Sequence, residues 1–217
     1  MSSKIGNIEL EQLLPQEIEK RSFEIITEEL QGRTFEKDQD SIIKRVIHTS
    51  ADFDYADNLC FSKDAVSIAK DAIVNGACIV TDTQMAKAGI NKKSLARYGG
   101  EVFCFMSDEE VAFEAKEKRV TRAAISMEKA ATLNKDLIIA VGNAPTALVK
   151  LYELIKEGKI EPKLIIGVPV GFVNVVQAKE LIMEAGVPYI VARGRKGGSN
   201  VAAAICNALL YQINNER

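Results

Sequence analysis

Five short apolar runs that alternate with helical segments constrain the fold of this chain more than any other feature. The runs are ACIV (77–80), EVFCF (101–105), DLIIAV (136–141), KLIIGV (163–168) and PYIVA (188–192). Helical spacing predicts helices between and after them at about 107–133, 145–157, 174–185 and 199–213. Strands that alternate with helices favour a parallel sheet covered on both faces. The sequence therefore predicts an α/β fold, a Rossmann-like three-layer α/β/α sandwich with a mainly parallel five-stranded sheet.

Three more helices are predicted before the first strand: two that form an N-terminal helical preface, and a third that begins at Ser62 and ends at Asn75-Gly76. The first runs from about Pro15 to Gln31, because Pro15 suits a first helical turn. The second follows Asp38 or Asp40 as N-cap and continues toward His48. No linker, internal repeat or low-complexity tract interrupts the pattern, so residues 1–217 are expected to form a single domain.

The composition favours a small-molecule partner. The chain is 47% hydrophobic and 27% charged, with a net charge of −2 and no basic run interleaved with aromatics, which argues against nucleic acid. No stretch approaches the roughly 18 to 20 apolar residues that cross a bilayer, and the N-terminus lacks a signal-peptide pattern. We therefore expect a cytoplasmic protein with no membrane partner. The four cysteines form no CxxC pair, so no metal site is predicted.

Three glycine-marked loops follow predicted strands and lead into helices. They read GNAPTA from Gly142, GVPVGF from Gly167 and GRKGGS from Gly194. Each can present backbone N–H groups to an anion, and the third adds Arg195 and Lys196. Glycines also serve simply to make tight connections between strands and helices. The three loops together favour an acidic ligand, whereas the absence of GxGxxG and GxxxxGK[ST] disfavours a nucleotide.

The single histidine is the one candidate for imidazole chemistry near neutral pH. Arg45 lies one helical turn before His48, and Ser22 falls in phase with the apolar stripe of the first helix. The alternative is structural: His48 meets a helix dipole and Ser22 bonds back to its own helix. Arg122, at a predicted helix start, and Asp82, at a strand end, are likewise open between a functional role and a solvated charge.

Seven segments, in order along nearly the whole chain, resemble the precorrin-8X/cobalt-precorrin-8 methylmutases. They are RSFEII (21–26), RVIHTSADF (45–53), TDTQMAKAGI (81–90), VTRAA (120–124), VGNAPTAL (141–148), IGVPVGFV (166–173) and GRKGGSNVAAAICNALL (194–210). The resemblance implies an isomerase that moves a methyl group from C11 to C12 of a tetrapyrrole macrocycle in cobalamin biosynthesis. It also implies a homodimer, a Rossmann-like fold and no cofactor.

The resemblance assigns roles to individual residues. His48 matches the family's catalytic histidine, and the expected substrate contacts are Ser22, Arg45, Arg122, Asn143, Arg195, Lys196, Gly197, Gly198 and Ser199. One segment departs from the family: Asn174 to Lys179 reads NVVQAK where the family commonly has glycine, alanine, alanine, glutamate, serine and lysine. The loss of the acidic side chain puts a polar role of that helix start in doubt.

The implied chemistry is a [1,5]-sigmatropic methyl shift, which a proton from His48 would accelerate by making a pyrroline nitrogen more electron-poor. A positioned acid of this kind supplies about 10²- to 10⁴-fold. The amino-acid sequences of these segments resemble those of cobalt-pathway members more closely, which favours cobalt-precorrin-8 as substrate and cobyrinate as product. Metal-free precorrin-8X, giving hydrogenobyrinate, is the alternative. A nucleotide-dependent oxidoreductase and a non-enzymatic tetrapyrrole carrier are the competing function classes.

Overall fold

A computed structural model describes residues 2–5 and 7–214 of the chain. The N-terminal part contains β1 (Ser2–Ile5), β2 (Ile8–Glu11), α1 (Pro15–Glu29), α2 (Lys37–Ser50), α3 (Tyr55–Asn58) and β3 (Leu59–Phe61). The middle part contains α4 (Ala65–Val74), β4 (Cys78–Thr81), α5 (Gln84–Gly89), α6 (Lys92–Ala96), β5 (Val102–Phe103), α7 (Glu109–Lys118) and α8 (Arg122–Ala130). The C-terminal part contains β6 (Leu137–Val141), α9 (Pro145–Lys156), β7 (Leu164–Gly167), α10 (Val175–Met183), β8 (Tyr189–Ala192) and α11 (Ser199–Asn214).

The central sheet has six strands in the order β3-β8-β7-β6-β4-β5. The five predicted strands pair in parallel, which confirms the mainly parallel α/β fold. The prediction of five strands was wrong by one, because β3 adds an antiparallel edge strand beside β8. Its three residues are too few to show a periodic signal.

Burial on both faces of the sheet explains why its strands read as continuous apolar runs. Along β6, Ile138 and Ala140 belong to one core cluster, whereas Leu137, Ile139 and Val141 belong to the other. The first cluster is shared with α2, α4 and α11, and the second with α8, α9 and α10. Successive side chains of a strand point to opposite faces, so both alternating sets need apolar residues. The result is the predicted three-layer sandwich.

The helices and strands differ from the sequence prediction in several further places. The segment 107–133 forms two helices rather than one, because Arg119 takes a left-handed conformation (φ 55°) and Thr121 caps a new helix. The short helices α3, α5 and α6 were not predicted, since each is shorter than the window in which periodicity shows. The β1–β2 pair precedes the two N-terminal helices, so the expectation that no strand comes before them was wrong.

Helix α2 packs against α11 and runs antiparallel to it. Near the end of α11, the side-chain amide of Gln212 donates to the carbonyl of Asp38 and lies 2.7 Å from the Ser41 hydroxyl. Just before α11 begins, Lys196 pairs with Asp52, which follows α2. The C-terminal end of α2 therefore lies at the edge of the sheet where the parallel strands end. Within residues 7–214, no helix is long and apolar enough to cross a membrane.

Candidate active site at the carboxyl edge of the sheet

The three glycine-marked loops pack directly against one another. The N–H of Gly198 donates to the carbonyl of Val168 at 2.9 Å, and the N–H of Gly171 donates to the carbonyl of Arg195 at 3.1 Å. A Cβ at Gly142 would lie 2.7 Å from Cα of Ser199. These close approaches leave no room for side chains, so the glycines are needed for loop packing at this edge.

The first loop is held by a buried carboxylate, and the prediction that its N–H groups are free for an anion was wrong. Asp82 is wholly buried, and its carboxylate accepts the N–H of Gly142 at 2.8 Å, Asn143 at 2.8 Å and Ala144 at 2.7 Å. Burial raises the pKa of Asp82, and the three donors act against that rise. Asp82 is therefore neither a solvated charge nor exposed to a ligand; it shapes the loop. The side chain of Asn143 remains exposed.

Among residues 7–214, the GRKGGS loop presents one cation without a carboxylate partner and one that is already paired with carboxylates. The guanidinium of Arg195 is exposed and lies 5.5 Å from the ring centre of Phe172, which is itself 82% exposed. The ammonium of Lys196 lies 2.7 Å from Asp52 and 2.6 Å from Asp54. These carboxylates raise the pKa of Lys196 above its ordinary value. Arg195 is thus the cation that this loop offers to a ligand.

Two glycines and a serine complete that loop. A Cβ at Gly197 would lie 2.1 Å from the carbonyl oxygen of Val168, and Gly198 has a φ of 148°. Ser199 is the first residue of α11, and its hydroxyl shares a hydrogen bond of 2.8 Å with that of Thr83. Within the described ranges, the N–H groups of 195–197 donate to no acceptor. The N–H groups of this turn can therefore donate to an anion bound beside the start of α11.

His48 and Arg45 form a second group, arranged around Phe23. The exposed imidazole stacks on the Phe23 ring, with the ring centres 5.3 Å apart and the planes 10° from parallel. The guanidinium of Arg45 lies 4.7 Å from the Phe23 ring centre and 5.2 Å from that of Tyr211, and it pairs with Glu19. No hydrogen bond to the imidazole is found among residues 7–214. Its nitrogens are available to a ligand.

The hydroxyl of Ser22 donates to the carbonyl of Ile18 at 2.9 Å, as in the structural alternative. Arg122 is exposed at the start of α8. Its neighbour Thr121 shares a hydrogen bond of 2.8 Å with Thr146, which follows the GNAP loop. Arg122 thus lies at the same edge of the sheet as Asn143.

Lys196 connects the three glycine-marked loops to the group of side chains around Phe23. Its two carboxylate partners follow α2, the helix that carries His48 and Arg45. These acidic partners were not predicted from the sequence, and neither were the hydrogen bonds of Asp82 and of the buried Lys179 to the loops. Lys179 gave a signal, because it falls in phase with the buried residues Val175, Ala178 and Ile182 of its helix.

The departure from the family pattern at α10 has a simple local explanation. Asn174 adopts a left-handed conformation with a φ of 56°, and asparagine tolerates this conformation better than most residues with a side chain. Glycine, the family's common residue there, adopts it freely. Gln177, at the position of the missing glutamate, is exposed. The substitutions therefore preserve the start of α10.

Comparisons with known proteins show the family to which this sequence and fold belong. The family model described as precorrin-8X methylmutase matches residues 17–212. Cobalt-precorrin-8 methylmutase of Priestia megaterium is 47% identical over 195 residues, which cover 90% of this chain and 87% of that protein. Precorrin-8X methylmutase of Pseudomonas aeruginosa is 36% identical over 89% of this chain and 94% of that protein. The solved structure of precorrin-8X methylmutase from Thermus thermophilus superposes with a TM-score of 0.83 at 38% identity, covering 92% of this chain and 98% of the other. The chain therefore belongs to the precorrin-8X methylmutase family.

Proposed function

We propose that this protein is a cobalt-precorrin-8 methylmutase, which moves the methyl group from C11 to C12 of the macrocycle and gives cobyrinate in cobalamin biosynthesis. The observation that carries the proposal is that the glycine-marked loops and the group around Phe23 are connected at one edge of the sheet. The helix that bears the exposed His48 is connected, through the ion pairs of Lys196, to the loop that bears the exposed Arg195. An acid and an anion-binding loop are what a polycarboxylate tetrapyrrole requires.

His48 is proposed as the proton donor. As the C11–methyl bond breaks and the C12–methyl bond forms, a proton on the pyrroline nitrogen would draw electron density from the reacting carbons. The stacking of the imidazole on Phe23 supports this role, because it fixes the ring plane while both nitrogens stay open to a ligand. Fixing a donor against a bound ring adds the advantage of orientation.

The substrate contacts are proposed in two sets. Arg122, Asn143, Arg195 and the turn at Gly197 would bind carboxylates, supported by their exposure and by the free N–H groups of 195–197. Exposed apolar side chains beside them, Val170, Phe172 and Val173, suit the face of a macrocycle. Lys196, Gly198 and Ser199 would act through loop shape, since their polar groups already have partners. Ser22 and Arg45 would contact the substrate on the His48 side.

The protein is also proposed to be a homodimer. The supporting observation is a row of exposed apolar residues along and before α1: Leu13 at 38%, Leu14 at 56%, Ile18 at 53% and Ile25 at 37% exposure. A patch of this kind is typical of an interaction surface. Sedimentation at working concentration should give twice the monomer mass, and a stable monomer would contradict the proposal. The single domain over 1–217 and the cytoplasmic location remain predictions, tested by limited proteolysis and by cell fractionation.

Turnover of cobalt-loaded and metal-free substrate tests the function and the substrate together. The two preparations are compared at equal concentration, and the corrin chromophore is followed by visible absorbance. Preference for cobalt-precorrin-8 is expected, in line with the 47% identical relative of that name against the 36% identical relative named for precorrin-8X. Clear preference for the metal-free form would assign the alternative substrate. No corrin from either form would contradict the proposed function.

A further inference from the structure

A lysine is buried directly beneath the GRKGGS loop. Lys179, on α10, is 0% exposed, and its ammonium donates to the carbonyls of Gly194 and Lys196, each at 2.8 Å. Within residues 7–214 it has no salt bridge to a carboxylate. The two carbonyls flank Arg195 in the chain, so one ammonium group holds both sides of the turn from which that arginine extends.

A buried cation without a carboxylate partner is unfavourable unless its hydrogen bonds compensate. On α10 the lysine lies in phase with Val175, Ala178 and Ile182, in a stripe of otherwise apolar buried side chains. Its donor capacity is therefore the property that distinguishes lysine here. Burial lowers the pKa of Lys179 to about 8, so most of the population is still charged at pH 7.

The turn that Lys179 holds is the one that joins the two halves of the site. The carbonyl of Arg195 accepts the N–H of Gly171 at 3.1 Å, and the Lys196 side chain reaches the carboxylates that follow α2. A shift of this turn would move the guanidinium of Arg195 and, through Lys196, the segment that follows the helix bearing His48. Both movements would alter how a ligand meets the site.

We propose that Lys179 is a positioning residue for the methyl transfer: its two hydrogen bonds to the 194–196 turn set the placement of Arg195 and the link of that turn to the His48 helix. The inference rests on the proposed function, since it concerns the same site. Lys179 does not touch the substrate; it acts through the turn.

The test compares Lys179→Met with a matched control, Lys156→Met. Lys156 also donates to two backbone carbonyls, those of Glu184 and Ala185, but at a distance from the three glycine-marked loops. Far-ultraviolet circular dichroism and thermal unfolding establish folding, and cobyrinate affinity and turnover are then measured well below the unfolding temperature. We expect Lys179→Met to bind the product about tenfold more weakly and to turn over about 10- to 100-fold more slowly. Lys156→Met should match the parent in both measurements.

A double variant separates positioning from general stabilisation. If Lys179 places Arg195, then Arg195→Gln should reduce product affinity less in the Lys179→Met background than in the parent, whereas independent effects would add. Lys179→Gln retains a neutral donor for one carbonyl and should fall between the parent and Lys179→Met. Parent-like binding and turnover by either folded variant would overturn the inference, as would additivity. Failure of both variants to fold would also overturn it, because Lys179 would then serve the fold rather than the site. A parent that neither binds cobyrinate nor forms corrin would instead contradict the proposed function.

Discussion

Replacing Asp82 with asparagine should destabilise the protein and loosen the GNAP loop. In the parent, one carboxylate oxygen accepts the N–H of Gly142, and the other accepts those of Asn143 and Ala144. The asparagine amide has one acceptor oxygen. If that oxygen keeps the pair of donors, the side-chain NH₂ faces the Gly142 N–H, and two donors oppose each other in a buried site.

The magnitude follows from these contacts. A buried donor left without an acceptor costs about 1–3 kcal/mol, and the two remaining hydrogen bonds lose the charge that makes them roughly twice as strong as neutral ones. Relief of the buried charge offsets part of this, since burial raises the pKa of Asp82. We therefore expect a net loss of about 2 kcal/mol in the free energy of unfolding. For a chain of this size that lowers Tm by about 4–8 °C.

Thermal and urea unfolding at pH 7, followed by circular dichroism, measure this loss. The matched control is Asp136→Asn, because Asp136 has a half-exposed side chain whose ionic partner, Lys163, lies 3.4 Å away on the surface. The control should change stability by less than about 0.5 kcal/mol. An Asp82→Asn protein as stable as the parent would refute the reasoning that this carboxylate holds the loop.

Three further predictions concern the same edge of the sheet. Gly197→Ala should lower the free energy of unfolding by about 3 kcal/mol, because its Cβ would lie 2.1 Å from a backbone oxygen. Gly158 lies in open space, so Gly158→Ala should cost only the ~1 kcal/mol needed to hold an alanine in the left-handed conformation. Urea unfolding of the two variants compares these losses. Because the pKa of Lys179 falls from 10.5 to about 8 on folding, the unfolded chain binds more protons above pH 8. Between pH 7 and 9.5, the free energy of unfolding of the parent should therefore rise by about 2 kcal/mol relative to that of Lys179→Met. If urea unfolding gives the same difference between the two proteins at both pH values, this prediction is contradicted. Arg195→Gln should weaken cobyrinate binding more than Lys196→Gln at low salt, because Lys196 is already paired with carboxylates. The difference in affinity between the two variants should shrink as salt rises. Equal losses of affinity in a titration at low salt would contradict the distinction between the two cations.

The sequence predicted the fold well where the signal was long and apolar. The five parallel strands were predicted from short apolar runs between turn signals, and the long helices α1, α2, α9 and α11 from their helical spacing. The edge strand β3 and the helices α5 and α6 were missed because they are too short to show a periodic signal, and contacts with neighbouring elements hold them in place. Ser62, for example, receives the N–H of Tyr189 on its hydroxyl and so joins the end of β3 to β8.

The candidate site shows a different limit of sequence-based prediction. Family motifs identified His48, Arg195 and their neighbours, but no spacing reveals which charges neutralise one another across the fold. Lys196 and its partner Asp54 are 142 positions apart in sequence, and Asp82 is 60 positions from the first N–H that it accepts. Such pairs depend on tertiary contacts. For that reason the free N–H groups expected at Gly142 proved to be occupied.

The most direct test of this account is the turnover of cobalt-precorrin-8 by His48→Asn beside the parent. Asparagine keeps hydrogen-bonding capacity but cannot donate an imidazolium proton, and His48 makes no hydrogen bond that supports the fold among the described residues. We predict that the variant binds cobyrinate with parent-like affinity, as measured by visible absorbance, and forms corrin about 10²- to 10⁴-fold more slowly. Near-parental turnover by a folded His48→Asn protein would show that His48 is not the acid and would contradict the proposed mechanism.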